Sequence, residues 1–335
     1  MIITRAPLRI SFVGGGTDLP DFYRQYPGRT ISVTIDKFTY VIINHIPHTK
    51  KVIVKYRDTE LVDHPSQLKH NRVKHSLLDL GINRDIEIGS FADISSSAGL
   101  GSSSAFSTAL LKGLYAFKGR NLNREETAKE ACRLEIELLK EPIGKQDQYA
   151  ASFGGFNIFQ FNSDESVDVN PVYISHNDKI KWQNHLLLFF TGITRPAATI
   201  FAEQRSNIAN NIAVLKEMSD SVFEFEKKLM ARDYQGLGIM LNEAWQKKKK
   251  LASNISGDLL DQLYDTGIKA GAWGGKILGA GGGGCILFVA PPEMHDSVQK
   301  SIREFAVKNN MIGFEEIPVK FTECGTDIVY RANRY

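Results

Sequence analysis

Along the first ninety residues the apolar positions fall in short β-branched and aromatic runs, and residues 8–13, 29–35, 38–46, 51–56 and 85–91 predict strands. From residue 103 the spacing becomes helical. Ala105, Phe106, Ala109, Leu110, Leu114 and Phe117 form one stripe over 103–117, and a second helix is predicted over 124–141. A strand over 155–161 follows. Residues 162–184, rich in Asn, Asp and Ser, predict no long element and hold the join, at about 170–180. Beyond them the pattern predicts a strand over 186–191 and helices over 197–231, 233–252 and 257–270. A Gly-rich loop, a strand over 285–290, a helix over 293–309 and a strand over 316–321 complete the series. The chain therefore divides into residues 1–175 and 176–335, an α+β arrangement with helices packed on antiparallel sheet and no internal repeat.

Length and composition agree with this division. The 335 residues suit two domains and a cleft between them, and 42% apolar with 24% charged residues marks an ordinary globular chain. A formal net charge of +3 offers no footprint for nucleic acid or an anionic membrane surface. The clearest basic run, Lys247 to Lys250, falls in a predicted helix and reads as a solvated face. Cys132, Cys285 and Cys324 are too few and too scattered for a disulfide framework or a CxxC metal site, and read as core thiols. No apolar run is long enough for a signal peptide or a membrane span, so a cytoplasmic protein is expected, as monomer or homodimer.

The chemistry begins at Ser95 to Ala105, between a strand and a helix. Small residues let backbone N–H groups approach an anion, serines add donors, and the positive helix end points at the same place, so Ser97, Ala98, Gly99, Leu100, Gly101, Ser102, Ser103 and Ser104 predict a phosphate cradle. No GxxxxGK(S/T) sequence occurs, and the P-loop lysine is absent with it. A second run, Gly279 to Gly284, satisfies GxGxxG but leads into a strand late in the chain. Rossmann loops open helices, so this run, with Gly281 and Gly282, instead predicts a cleft wall. Glu135 lies on the buried stripe of its helix, which demands a cation or strong donors; metal ligand and salt bridge both meet that demand. Asp147, in a polar segment, is the best general base available to a hydroxyl acceptor, with Lys145 placed to touch phosphate. At the N-terminus a strand runs into Gly14, Gly15, Gly16, Thr17 and Asp18; the glycines permit close approach, Asp18 could accept sugar hydroxyls, and Arg9 could pair with Asp147.

These four stretches, in this order over nearly the whole chain, resemble the GHMP kinase superfamily. The likeness rests on Ala6, Pro7, Arg9, Gly14, Thr17 and Asp18, on the GLGSS of Gly99 to Ser103, on Gly279 to Gly284, and on the step from Glu135 to Asp147. It implies a ribosomal protein S5 domain 2-like N-terminal domain, a ferredoxin-like C-terminal domain, and ATP with Mg2+ between them. Within the superfamily, RAPLRISFVGGGTDLPDF, GKQDQYAASFGGFN and GGKILGAGGGGC look most like the heptose 7-phosphate kinases, which phosphorylate an anomeric hydroxyl for surface polysaccharide synthesis. A fucokinase-like enzyme and a non-catalytic sensor are the alternatives. The resemblance places Mg2+ on Ser103 or Ser102 with Glu135, and makes Asp147 the base. Lys145, Arg195 and Lys276 are the candidates to grip a sugar phosphate, because Arg and Lys suit that group. Two departures stand out: Ser95 replaces a frequent proline, and Gly15 and Gly16 replace the Glu and His of galactokinases, which makes room for a bulkier sugar.

Overall fold

A computed structural model describes residues 1–194, 203, 205, 207–251 and 255–332 of the chain. The first seven strands are β1 (Ile2–Val13), β2 (Gly28–His45), β3 (Val52–Lys55), β4 (Thr59–Val62), β5 (Ile86–Ala92), β6 (Phe156–Phe161) and β7 (Val167–Pro171). A second sheet consists of β8 (Leu186–Phe190), β9 (Gly274–Ile277), β10 (Cys285–Val289) and β11 (Glu315–Ile317), all antiparallel in the order β11-β8-β10-β9. The final strand, β12 (Asp327–Arg331), returns to the first sheet beside β1. That sheet runs β12-β1-β2-β5-β3-β4, with β6 and β7 continuing from β2, and only its β3–β5 pairing is parallel.

Helices of the N-terminal half are α1 (Pro20–Tyr23), α2 (Asn71–Asp79), α3 (Ser102–Phe117), α4 (Arg124–Cys132) and α5 (Gln146–Phe153). Those that follow are α6 (His176–Gln183), α7 (Ile208–Met230), α8 (Tyr234–Lys249), α9 (Asp258–Lys269) and α10 (His295–Lys308). Two-faced burial explains β1. It alternates buried and half-buried residues as far as Arg5, then is buried throughout, with α3 and α5 packed on it from its own half and α7 and α8 from the other. Phe12 at its end stacks on Phe225 of α7 at 5.1 Å and meets Trp182 of α6 at 5.6 Å, so one aromatic cluster joins β1 to both helices.

Several elements differ from the sequence expectation for identifiable reasons. The strands expected over 29–35 and 38–46 are one strand, because Asp36 and Lys37 form a bulge opposite the step from Pro7 to Leu8 rather than a turn. The Asp36 N–H donates to the Lys320 carbonyl at 2.8 Å. Residues 162–184 contain β7 and α6, short polar elements without a strong period. The helix expected over 124–141 is α-helical only to Cys132 and widens into a π turn over Arg133–Leu138. Strand β12 was not foreseen, being short and mostly exposed. Part of the helix expected over 197–231, including Arg195 just before it, lies outside the described residues.

Candidate active site

Between the halves lies a cavity of about 830 Å³. One wall is the loop from β5 to α3, the expected phosphate cradle. Ser97, Gly99 and Gly101 all adopt positive φ (+67°, +75° and +75°), an alternation that turns successive backbone N–H groups to one side. Gly101 is the N-cap of α3, and no side chain caps the helix, so the first-turn N–H groups of this sixteen-residue helix remain available to an anion. Ser97, Gly99, Gly101, Ser102, Ser103 and Ser104 line the cavity. Ala98 and Leu100 do not: both are fully buried, and their carbonyls accept the N–H of Cys285 and of Arg9. Their part in the cradle is to fix its shape.

Asp147, in the first turn of α5, faces the same space. Arg9 of β1 holds it with two parallel bonds, Nε to Oδ1 and Nη2 to Oδ2, both 2.8 Å. The third guanidinium nitrogen, Nη1, donates to the Gly99 carbonyl at 2.7 Å, which ties the carboxylate to the cradle. The expected pair of Arg9 and Asp147 is present. Asp18 lines the cavity beside Gly15 and Gly16, accepts the N–H of Gly16 and of Gln146 at 3.2 Å each, and has its carboxyl pushed up by burial and by Asp147. Thr17 points away: fully buried, it bonds Gly14 and Arg29 and shapes the turn instead of meeting substrate.

Other expected residues fall elsewhere. Lys145 donates to Glu165 at 2.5 Å and lies over the Tyr23 ring, outside the cavity lining, because Glu165 supplies the nearest carboxylate. Gly281 lines the cavity, whereas Gly282 is buried with its N–H on the Ile255 carbonyl. Lys276 of β9 is at the cavity, but its Nζ donates to the carbonyls of Ser11 and Phe12 at 3.1 and 2.7 Å and so clasps β1.

The expected metal pair does not form. Ser103 is exposed at the cavity, while Glu135, in the π turn, is 0% exposed and satisfied by protein donors. Its Oε1 accepts Ser107 Oγ at 2.7 Å and Arg72 Nε at 3.3 Å; its Oε2 accepts Ser104 Oγ at 2.8 Å and Gln148 Nε2 at 2.6 Å. Of the two options left by the sequence, the salt bridge is the one present. Among the described residues no three His, Cys, Asp or Glu side chains gather as a metal cluster. The donor set around Glu135 thus does not fit Mg2+.

Sequence reasoning missed two groups of lining residues. Tyr56, His70 and Phe106 pack ring against ring, with centroids 4.8 and 5.2 Å apart, and burial pushes the His70 imidazole down toward its neutral form. Phe91 and Thr39 border the same cavity, and Thr39 Oγ1 is buried without a protein partner. This apolar end, with a free hydroxyl, suits a flat heteroaromatic ring. The second miss is Lys248, read as part of a solvated run, which turns inward; only the helical phase of α8 could have signalled it.

The chain matches the GHMP kinases N terminal domain over residues 70–155 and the GHMP kinases C terminal domain over residues 225–308, together about half its length. It is 28% identical over 319 residues to the D-glycero-alpha-D-manno-heptose 7-phosphate kinase of Campylobacter jejuni, covering 90% of this chain and 93% of that one. It is 26% identical to the L-fucokinase/L-fucose-1-P guanylyltransferase of Bacteroides fragilis over 90% of this chain but only 36% of that longer protein. In structure it resembles a D-glycero-D-manno-heptose 1-phosphate kinase from Bacteroides thetaiotaomicron, with TM-score 0.80, 23% identity and coverage of 99% and 100%. A putative sugar kinase from Campylobacter jejuni gives TM-score 0.76 at 26% identity, covering 98% of this chain and 97% of the other.

Proposed function

This chain belongs to the GHMP kinases and is an ATP-dependent sugar kinase, and from that premise we propose that it phosphorylates the anomeric hydroxyl of D-glycero-D-manno-heptose 7-phosphate to give the 1,7-bisphosphate. The observation that carries the reading is the Arg9–Asp147 pair, fastened to the phosphate cradle through Gly99 and open to the cavity. ATP would lay its phosphates against the Ser97 to Ser104 loop and its base among Tyr56, His70 and Phe106. The acceptor would lie beside Gly15, Gly16 and Asp18, where a Cβ built on Gly15 meets nothing within 4 Å. That space favours a seven-carbon sugar over galactose.

In this reading Asp147 takes the proton from the anomeric hydroxyl as its oxygen bonds to the γ-phosphorus and the bond to the β-phosphate oxygen breaks, releasing ADP. Phosphoryl transfer asks the protein mainly for positioning and charge neutralisation, so the base contributes about 10²- to 10⁴-fold. Arg9 sets the orientation of that base. The substrate's own phosphate would fall to Arg195, since Glu165 holds Lys145 and two β1 carbonyls hold Lys276. Domains bounded at residue 175, with ATP between them, and a place in the cytoplasm supplying nucleotide-activated heptose for surface polysaccharides belong to the same proposal. The described helices include none long and apolar enough to cross a membrane.

The test is transfer from ATP to seven-carbon and six-carbon sugars, each with and without a terminal phosphate, with the product position assigned by NMR. The heptose 7-phosphate is expected to react fastest and to gain phosphate at C1. Preference for an unphosphorylated sugar such as fucose would replace this reading with a fucokinase-like one. No ATP consumption with any sugar would leave a sensor.

A further inference from the structure

Four consecutive lysines at the end of α8 meet different fates. Lys247 pairs with Glu217 at 2.8 Å and Lys249 with Asp261 at 3.1 Å, both toward solvent. Lys248 is 7% exposed, lines the cavity, and donates to the Gly279 carbonyl. Burying an ammonium group this far is costly unless an anion awaits it. Three other cations on the cavity wall already have work: Arg9 holds Asp147 and Gly99, Arg72 holds Glu135 and Glu141, and Lys276 clasps two β1 carbonyls. Arg57 is exposed on the β3–β4 hairpin. Among the described residues Lys248 has no carboxylate bonded to it, and one carbonyl uses one of its three protons.

Its position is set by the glycine contacts. A Cβ built on Gly279 would lie 2.7 Å from the Cα of Gly99, so the carbonyl that anchors Lys248 belongs to a residue packed on the cradle. A Cβ on Gly101 would lie 3.3 Å from Arg9 Cγ and 3.5 Å from Asp147 Cγ. Cradle, base and Lys248 therefore border one small space, the one a phosphoryl group crosses between nucleotide and acceptor. We propose that Lys248 is the catalytic cation that meets the γ-phosphoryl oxygens of ATP during transfer, in the role that the missing P-loop lysine leaves vacant. The proposal rests on the phosphotransferase reading but not on the identity of the sugar. Charge in the transition state spreads over the three equatorial oxygens of the moving group, where a desolvated ammonium group acts most strongly. The acceptor oxygen gains the phosphorus, ADP leaves with the electron pair of the broken bond, the proton goes to Asp147, and Lys248 keeps its own protons.

The electrostatics of the site agree. Burial and Arg9 push the Lys248 ammonium group down to about 8, opposed by Asp18 and Asp147, while Lys276 faces it from β9. Because kcat/KM reports the free enzyme, it should fall as pH rises through about 8 and the charge is lost. Lys248→Met should lower kcat by about 10²- to 10³-fold, with the acceptor KM changed by less than about threefold. Lys248→Arg should recover at least about tenfold of that loss and move the alkaline limb upward, since a guanidinium does not titrate there. Calorimetry without acceptor supplies an independent reading: the preference for ATP over ADP should shrink at least about fivefold in Lys248→Met. Turnover of Lys248→Met within about threefold of the parent, or an unchanged ATP-to-ADP ratio, overturns the proposal. If the parent phosphorylates no sugar, the substrate reading fails while the nucleotide ratio still judges Lys248. Should Lys248→Met fail to fold, Lys248→Gln is held to the same thresholds.

Discussion

Glu135 and Asp147 stand twelve residues apart, each gripped by an arginine, and they face opposite media. Each oxygen of Asp147 accepts one bond from Arg9, and its side chain remains 29% exposed at the cavity. Each oxygen of Glu135 accepts two protein donors, and the side chain has no exposure. The difference is geometric rather than chemical. A carboxylate can take a proton from a substrate only where a lone pair looks into the substrate's space, and one whose lone pairs are filled by neighbours holds the walls in register. Glu135 does the second by joining α2, α3 and α5 to the π turn, through Arg72, through Ser104 and Ser107, and through Gln148.

The sharpest way to break this contrast is to remove each charge in turn. Asp147→Asn keeps the shape and a bond to Arg9 but cannot accept the proton, so turnover is expected to fall about 10²- to 10⁴-fold, roughly 3 to 5 kcal/mol. Acceptor binding and the unfolding midpoint should stay near those of the parent. Steady-state kinetics beside thermal unfolding checks both, and near-parent turnover of a folded variant removes Asp147 as the base. Glu135→Ala should act in the other sense. It strands Ser104 and Gln148 without their acceptor, leaves Ser107 only the Ser103 carbonyl and leaves Arg72 with Glu141 and Ser107, at an expected cost of about 2 to 3 kcal/mol in denaturant unfolding, below the fully buried case because Arg72 is partly exposed. A Glu135→Ala protein as stable as its parent yet inactive would give Glu135 a chemical role and dissolve the comparison.

How far the sequence reached follows from the same physics. The cradle was legible because glycine and serine have few other reasons to crowd a strand-to-helix turn, and Asp18 and Asp147 because acidic residues stood near glycines in polar loops; Arg9, inside a strand, was legible only through the motif shared with the GHMP kinases. Burial of Glu135 was legible from the helical period. Its partners were not: Arg72 lies sixty-three residues away on a polar helix of nine residues, and Gln148 in a helix of eight. Lys145 misled because proximity in sequence to Asp147 says nothing of helix phase, and Glu165, twenty residues on, claims it. Lys248 was hidden inside a run that composition averages into a solvated face. The sequence also could not show that Asp36 and Lys37 form a bulge, since polar pairs mark bulges and turns alike.

Gln148 is where the two carboxylates meet, and it yields the smallest and most discriminating effect. Its Nε2 donates to Glu135, while its Oε1 is buried at the cavity without a protein partner, one residue beyond Asp147. Gln148→Met should cost only about 1 kcal/mol of stability, because the lost bond to a charged acceptor is partly offset by removing an unsatisfied oxygen. Double-mutant cycles decide what that number means. Coupling in stability between Gln148→Met and Glu135→Gln should reach about 1 kcal/mol, whereas coupling in turnover with Asp147→Asn should stay under about 0.5 kcal/mol. Strong coupling on the second arm would show that the buried cluster positions the base, so that wall and reacting centre are one device.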